Sequence, residues 1–554
     1  MSEALGHVII AKDRPASPFE FWCTVEVGHP NLQVGSYVIV SGDGKNILGI
    51  VEDIQHSSQI DSSSHYYAEM AKRTISGSTT VSPTIERYAK IRVLSREPPF
   101  NVPPDDRWKV RLLKADDEEM LNKKIPRDNR ILCGFIRGET WVPIYVHSEF
   151  LLGPEAAHAN ITGKTGLATK TSYAVFLAYC ALSWAKNKQE PTAVLMLNVK
   201  RGDLMRLHNL PENWDDALDK IRIWAEAAGM QDKASEMVAM WNIAKELGVD
   251  PFNIEIKYFD YQGDPFQPTD FKHLQLYSYG LRDMTIEELI AALYSPEEQV
   301  PEPQINMIYT YMEAVSDREI TFNQMLRHLS QYSRYTPDEA QRARQRGLFT
   351  APDLDNWHKD TAGALYRRLL GFLNRSTRIV RGESAHGYPI TFDAIEPYKI
   401  HVVQIFGLSS SEKRLVVNAI MRQISEGLAR REKVVNRVLV FIDELNQYAP
   451  RTPSPVKEQI IEIVSRGRDL QLSLLGAQQF ASQIDVQVYG NFTTKIVGNS
   501  DEAEIRQERY RYLGHFRKVA PILEKGDLII YHPMHISPLL INFPVPLHET
   551  VRGY

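Results

Sequence analysis

Two adjacent carboxylates, Asp443 and Glu444, end the apolar run Val438-Leu-Val-Phe-Ile442. A continuous run of β-favouring residues is the pattern of a strand buried on both faces of a parallel sheet. Ligands of open α/β sheets gather beyond the carboxyl ends of such strands. Two acids at that end suit a magnesium-nucleotide: one holds the metal's water shell and the next orients an attacking water. The plainer alternative is a core strand closing on two solvated acids, since a short motif is only a hypothesis. Other parts of a nucleotide site must decide between them.

The first such part is a phosphate cradle. Asn160-Ile-Thr-Gly163-Lys-Thr-Gly166-Leu-Ala168-Thr169-Lys170-Thr171-Ser172 follows a candidate strand at 156–162 and opens an apolar helix, Tyr173 to Trp184. Strand, glycine loop and helix in that order present backbone N–H groups and a helix N-terminus to phosphate. The spacing departs from G-x-x-x-x-G-K-[ST]: Lys170 lies seven residues after Gly163, one more than the motif has, and Thr169 stands where the second glycine belongs. A β-branched residue at positive φ would be strained. Either the loop takes a longer path or phosphate is held less tightly. Reading Gly163-Lys164-Thr165 as the motif is worse, because His158 would fall at the first glycine and Gly166 in the first helical turn. A plain glycine turn before a helix is the competing reading.

Gln478 and Gln479 close a further apolar run, Leu472 to Ala477. An amide at the end of a strand beside the acidic one could touch the terminal phosphate or the attacking water. Just upstream lie Arg466 and Arg468. Arginine offers a permanently charged fork suited to phosphate, and in a ring-shaped ATPase it can act across a subunit boundary. Solvated arginines beside a favourable helix C-terminal dipole explain the same residues. Arg342, Arg344 and Arg346, and the series Arg367, Arg368, Arg375, Arg378 and Arg381, could meet a nucleic-acid backbone; such runs are more often solvated helix faces. No H-x-x-x-H pair, metal cage or G-x-S-x-G elbow is present.

The elements that must position these residues form three regions. Residues 1–150 carry short strands divided by Gly, Pro and Asn turns, including Val8–Ala11, Ser36–Val40, Ile47–Glu52, Ala89–Leu94 and Val142–Val146. They read as a small β-barrel. Residues 151–204 and 398–554 alternate apolar strands with helices, the signature of a mostly parallel α/β sheet. Residues 205–397 read as a largely helical insertion, with helices at Trp214–Ala228, Lys233–Leu247, Thr285–Leu293, Gln304–Ser316, Thr321–Tyr332, Pro337–Gly347 and Thr361–Leu373. The fold class is thus α/β: a P-loop core, an N-terminal β-barrel and a large helical insertion.

Composition sets outer bounds. With 43% hydrophobic and 24% charged residues, the 554-residue chain is that of an ordinary globular protein. A net charge of -5 argues against a uniformly basic nucleic-acid coat but allows a local basic channel. Three scattered cysteines make neither a disulfide framework nor a metal spacing, which suggests a reducing cytoplasm. No signal peptide is evident and no apolar run reaches membrane-span length, so no membrane partner is expected.

Assembled, these pieces resemble the HerA family of hexameric DNA-translocating ATPases, in the FtsK/HerA branch of P-loop motors with a RecA-like core. The resemblance rests on the order of barrel, loop at 163–171, helical insertion, Phe441-Ile-Asp443-Glu444, and Arg466-Gly-Arg468 through Gln478. The segment Ile522 to Pro544 is similar to the family's closing strands. Ala168-Thr169-Lys170-Thr171-Ser172 resembles a loop form shared by some bacterial members. The resemblance implies that Lys170 binds the β- and γ-phosphates of ATP, with Gly163, Gly166, Ala168, Thr169 and Ser172 in the cradle. Thr171 and Asp443 would hold Mg2+, Glu444 would polarise water, and Gln478 would sense the γ-phosphate. Arg466 or Arg468 would reach a neighbouring subunit's nucleotide. It further implies a homo-oligomer, a hexamer, acting on DNA with a separate nuclease or other effector protein, in DNA end processing or antiviral defence. The rivals are a nucleotide-binding scaffold that regulates an effector with little translocation, and a monomeric P-loop enzyme such as a nucleotide kinase.

Overall fold

The computed structural model describes residues 4–25, 32–58, 85–154, 157–164, 169–201, 204–227, 233–261, 263–264, 274–294, 298–376, 378–380, 387–430, 433–452 and 455–548. Its strands are β1 Gly6–Ile9, β2 Glu20–Val25, β3 Tyr37–Gly42, β4 Lys45–Ser58, β5 Ile85–Glu97, β6 Lys109–Leu112, β7 Arg130–Arg137, β8 Trp141–His147, β9 His158–Thr162, β10 Thr192–Asn198, β11 Glu255–Asp260, β12 Leu274–Leu276, β13 Lys399–Gln404, β14 Arg437–Asp443, β15 Leu472–Gln478, β16 Thr494–Val497, β17 Asp527–Tyr531 and β18 Leu539–Asn542.

The first six strands close an antiparallel barrel in the order β1-β2-β5-β4-β3-β6. Closure leaves no free edge. Register shifts in β4 at Leu48/Gly49 and Val51/Asp53 supply local bends of the kind that curve a sheet. Phe21, Cys23, Val38, Val40, Ile47, Ile91 and Val110 fill the barrel interior. Tyr37 ties the barrel to the rest of the chain, its hydroxyl accepting from the Leu540 backbone N–H at 2.9 Å.

Val142–Val146, grouped with the barrel on sequence, lies in β8 and belongs elsewhere. β7 and β8 form a hairpin at the edge of the core sheet, beside β18. Their short β-favouring runs looked like barrel strands because a run of that kind carries no information about its partner; both strands are buried at nearly every position.

The core is a 12-stranded sheet in the order β12-β11-β13-β10-β14-β15-β9-β16-β17-β18-β7-β8. Pairing is parallel from β12 to β16 and antiparallel beyond. β9, β10 and β15 are buried at every position, as expected of parallel strands covered on both faces. The helix Thr169–Lys188 is buried along its whole apolar stretch from Tyr173 to Leu182. No helix among the described residues is long and apolar enough to cross a membrane. All three cysteines are free and buried.

Helices appear where the sequence places them in the insertion, among them Trp214–Ala227, Ala234–Glu246, Ile286–Leu293, Phe322–Tyr332 and Lys359–Arg375. Capping boxes start several: Thr285 with Glu288, Thr321 with Gln324, Thr336 with Glu339. The insertion is not wholly helical, however. β11 and β12 extend the core sheet past β13. Glu255-Ile-Lys-Tyr-Phe-Asp mixes charge into the strand, which hid it; the charges are balanced by Lys399 on Glu255 at 2.9 Å and Lys257 on Glu396 at 2.8 Å.

Burial pushes His401, His535 and His548 down to about 4. Each is held neutral, so the unfolded chain binds more protons than the folded one between about pH 6.5 and 4. The resulting stability is complete above pH 6.5 and is lost as pH falls toward 4, on the order of 3 kcal/mol per fully protonated histidine. Denaturant melts at pH 7, 5.5 and 4.5 are expected to show a steep fall. Constant stability over that range would contradict the burial of these rings.

Candidate active site

Parallel register brings the sequence-predicted residues to one edge of the sheet. Asp443 of β14 pairs with Ala477 of β15, and Gln478 pairs with Thr162 at the end of β9. The acids, the amide and the start of the glycine loop therefore lie level, at the carboxyl ends of three adjacent strands. β15 stands between the loop strand and the acid strand, which leaves a strand's width for a phosphate chain to cross.

The base of the loop is clamped on both sides. The Gly163 N–H donates to the Gln478 carbonyl at 3.3 Å, and the Lys164 N–H to the Asn499 carbonyl at 2.7 Å. Gly166 and Ala168 lie outside the described residues. The helix begins at Thr169; its backbone is right-handed there, so the positive φ that would strain a threonine does not arise. The Thr169 side chain is outside the described residues. Ser172 sits half-buried in the first helical turn.

Lys170 is buried, 7% exposed, and its Nζ donates to the Gly163 carbonyl at 3.0 Å. Burial lowers its pKa from the usual lysine value to about 8, against the pull of Asp443 and with some push from Lys200. The next residue, Thr171, donates its hydroxyl to Asp443 Oδ2 at 3.4 Å. Two hard oxygen donors from distant parts of the chain thus converge, as a divalent cation with oxygen ligands requires. The same Asp443 oxygen also carries a cation in this structure: Lys200 Nζ lies 2.5 Å away. Thr171 Oγ1 and Asp443 fit a magnesium ion as part of a larger, water-completed shell.

Glu444 turns the chain with a left-handed backbone, φ 56° and ψ 42°. Of the other non-glycine residues with positive φ, Asp43 and Arg107 lie in the barrel region, and Gln189, Tyr398 and Gln471 lie just before β10, β13 and β15, at the opposite edge of the core sheet. Such a conformation costs about 1 kcal/mol or more, so its cost at Glu444 falls where chemistry is expected. Asp443 Oδ1 stabilises the turn by accepting from the Glu444 N–H at 2.9 Å, and Glu444 Oε2 accepts from Gln447 Nε2.

Gln478 is in place but turned inward. Its amide nitrogen donates to Asn160 Oδ1 at 2.7 Å and Thr162 Oγ1 at 2.9 Å, and its oxygen accepts from Asn160 Nδ2 at 3.0 Å. Gln479 is exposed. Arg466 and Arg468 lie on the helix Pro455–Leu470; their side chains are outside the described residues. Of the other arginines, Arg368 pairs with Glu298 and Arg344 with Asp353 at 3.1 Å, and both are partly buried and also donate to backbone carbonyls, of Leu293 and Ala351, within the chain. Arg381 lies outside the described residues.

Sequence reasoning missed Lys200, Asn160 and Gln447. Lys200 follows β10 directly, but only the strand order reveals β10 as the acid strand's neighbour. Asn160 was visible as a polar residue inside an apolar strand.

Gly476 has a structural duty here. A Cβ on it would come 2.4 Å from Leu445 Cδ2, and Leu445 follows Glu444. If Glu444 has the water-polarising role the resemblance implies, the variant Gly476→Ala is expected to bind nucleotide normally and to turn over up to about tenfold more slowly, because only part of the shift at the end of the Leu445 side chain reaches its neighbour's backbone. Unchanged turnover would show that Glu444 tolerates the shift.

No family model matches the chain, and no curated protein matches it. Among solved structures, the bacterial conjugative coupling protein TrwB in its unbound monoclinic form aligns at TM-score 0.44 and 10% identity, covering 79% of this chain and 93% of that one. TrwB in complex with the non-hydrolysable GTP analogue GDPNP gives 0.44 and 11%, covering 79% and 95%. VirB4 of Thermoanaerobacter pseudethanolicus gives 0.41 and 12%, covering 76% and 97%. At these scores the likenesses carry no argument, and the fold rests on the strand order described above.

Proposed function

We propose that the chain is an ATP-hydrolysing, ring-forming DNA translocase. One observation carries the nucleotide part: Lys170, Thr171, Asp443 and Glu444 meet at the carboxyl edge of a parallel sheet, level with the start of a glycine loop. Lys170 Nζ donates to the Gly163 carbonyl, whose place a phosphate oxygen can take. The loop and Lys170 hold the phosphates. Thr171 and Asp443 would hold magnesium, which when bound supplies charge neutralisation at the phosphate oxygens. Glu444, already turned out of the strand, takes the proton of the attacking water. Gln478 reaches the terminal phosphate on leaving Asn160. Arg466 or Arg468 completes a neighbouring subunit's site in the ring.

The DNA substrate, the hexamer, and an effector such as a nuclease, in antiviral defence or otherwise, extend this reading through the resemblance to HerA-type motors. The coupling proteins and VirB4 likenesses agree with that direction without adding weight. A second reading, a nucleotide-binding scaffold with little translocation, is favoured by one observation: both amide donors of Gln478 are already engaged within the sheet. Native mass and DNA-stimulated hydrolysis separate the readings. A motor is a ring with ATP and is stimulated by DNA; a scaffold is a ring without stimulation; a monomer with ATP defeats both.

A further inference from the structure

Asp443 is 2% exposed, and its Oδ2 is shared by Thr171 Oγ1 at 3.4 Å and Lys200 Nζ at 2.5 Å. An uncompensated buried carboxylate is costly, and Lys200 is the cation in direct contact with it. Lys170, the lysine of the loop, feels the Asp443 charge from further off, and its Nζ donates instead to the Gly163 carbonyl. The two lysines approach from opposite sides. Lys170 belongs to the loop after β9, and Lys200 follows β10, on the other side of β14. A phosphate chain that starts at the loop and crosses β15 toward Asp443 and Glu444 therefore presents its terminal group to Lys200.

We propose that Lys200 is a second phosphate-binding lysine that discriminates nucleoside triphosphates from diphosphates, exchanging its contact with Asp443 for one with the terminal phosphate. The proposal rests on the nucleotide-site reading given above. Asp443 and Thr171 would hold magnesium, and Lys200, which shares the same Asp443 oxygen, would then turn to another anion. A terminal phosphate would supply that anion on the β10 side of the acid strand, and a diphosphate would not. The exchange needs only a change of partners at the end of a flexible four-carbon side chain, a part suited to lysine. Lys200 is 29% exposed at its side chain, so it can swing without disturbing the core.

The test compares the full-length wild type, Lys200→Met and Lys200→Arg for binding of ADP and of the non-hydrolysable analogue AMP-PNP, each with magnesium, by calorimetry. The wild type should prefer the triphosphate. Lys200→Met should lose about tenfold or more in AMP-PNP affinity, a charge-assisted contact's worth, with ADP affinity held within about threefold. Lys200→Arg should keep most of the preference, because it keeps the charge. Equal losses for both nucleotides in Lys200→Met would show that Lys200 only supports Asp443, and no loss for either would show that it touches no phosphate; both overturn the proposal. A wild type that binds neither nucleotide overturns the nucleotide-site reading itself, and this proposal with it.

Discussion

Glu444→Gln is expected to bind ATP as the wild type does and to lose about 10²- to 10⁴-fold in turnover, the range for a missing general base. The substitution is close to isosteric. The amide oxygen of glutamine can still accept from Gln447, the backbone bond to Asp443 Oδ1 does not involve the side chain, and glutamine meets the same left-handed backbone as glutamate. Lys170, Thr171 and Asp443 are untouched, so the groups that would hold phosphate and metal remain. What disappears is a carboxylate able to take a proton. Bound nucleotide per chain and phosphate release, measured on the same preparation, give the result. Hydrolysis at the wild-type rate would sink the water-polarising role of Glu444 and leave Asp443-Glu444 as a structural strand end.

Lys170→Met separates folding from binding in the other direction. Burial disfavours the lysine charge, which is why its pKa falls to about 8. Methionine fills a similar volume without a charge and forgoes only the 3.0 Å bond to the Gly163 carbonyl. Thermal stability should therefore hold or rise slightly. Nucleotide affinity should fall by about 100-fold or more, because each charge-assisted bond to phosphate is worth roughly 1.5–3 kcal/mol. Calorimetry with magnesium and ATP, beside a thermal melt, checks both halves. A variant that melts normally and binds like the wild type would place the phosphates away from this loop.

Much of this site can be read in the sequence because it depends on local pattern. Val438 to Ile442 can only be a buried strand or a buried helix turn, and the two acids that follow point to a metal-nucleotide site once the glycine loop is set beside them. Strand, loop and helix around Lys170 are contiguous, so their order alone suggests a cradle. Thr169, which looks like a defect when the motif is laid over the chain, is the first residue of the helix, and no strain follows. What the sequence hides is lateral. The strand of Gln478 was expected beside the acid strand, but nothing in the sequence says that β9 lies on its other side, that β10 borders β14, or that β7 and β8 leave the barrel for the far edge of the core sheet. Lys200 becomes part of the site only through that order. The inward bond of Gln478 to Asn160 likewise depends on two strands being neighbours. The helical insertion was legible from its caps and periodicity; β11 was not, because its charged residues are balanced by partners from other segments.

The central claim is that the carboxyl edge of this sheet hydrolyses a nucleoside triphosphate. Its most direct test is phosphate release from magnesium-ATP by the purified wild-type chain, with Glu444→Gln as the baseline. Release on the order of 1 s⁻¹ is expected, well above that baseline. Release no faster from the wild type than from Glu444→Gln would contradict it.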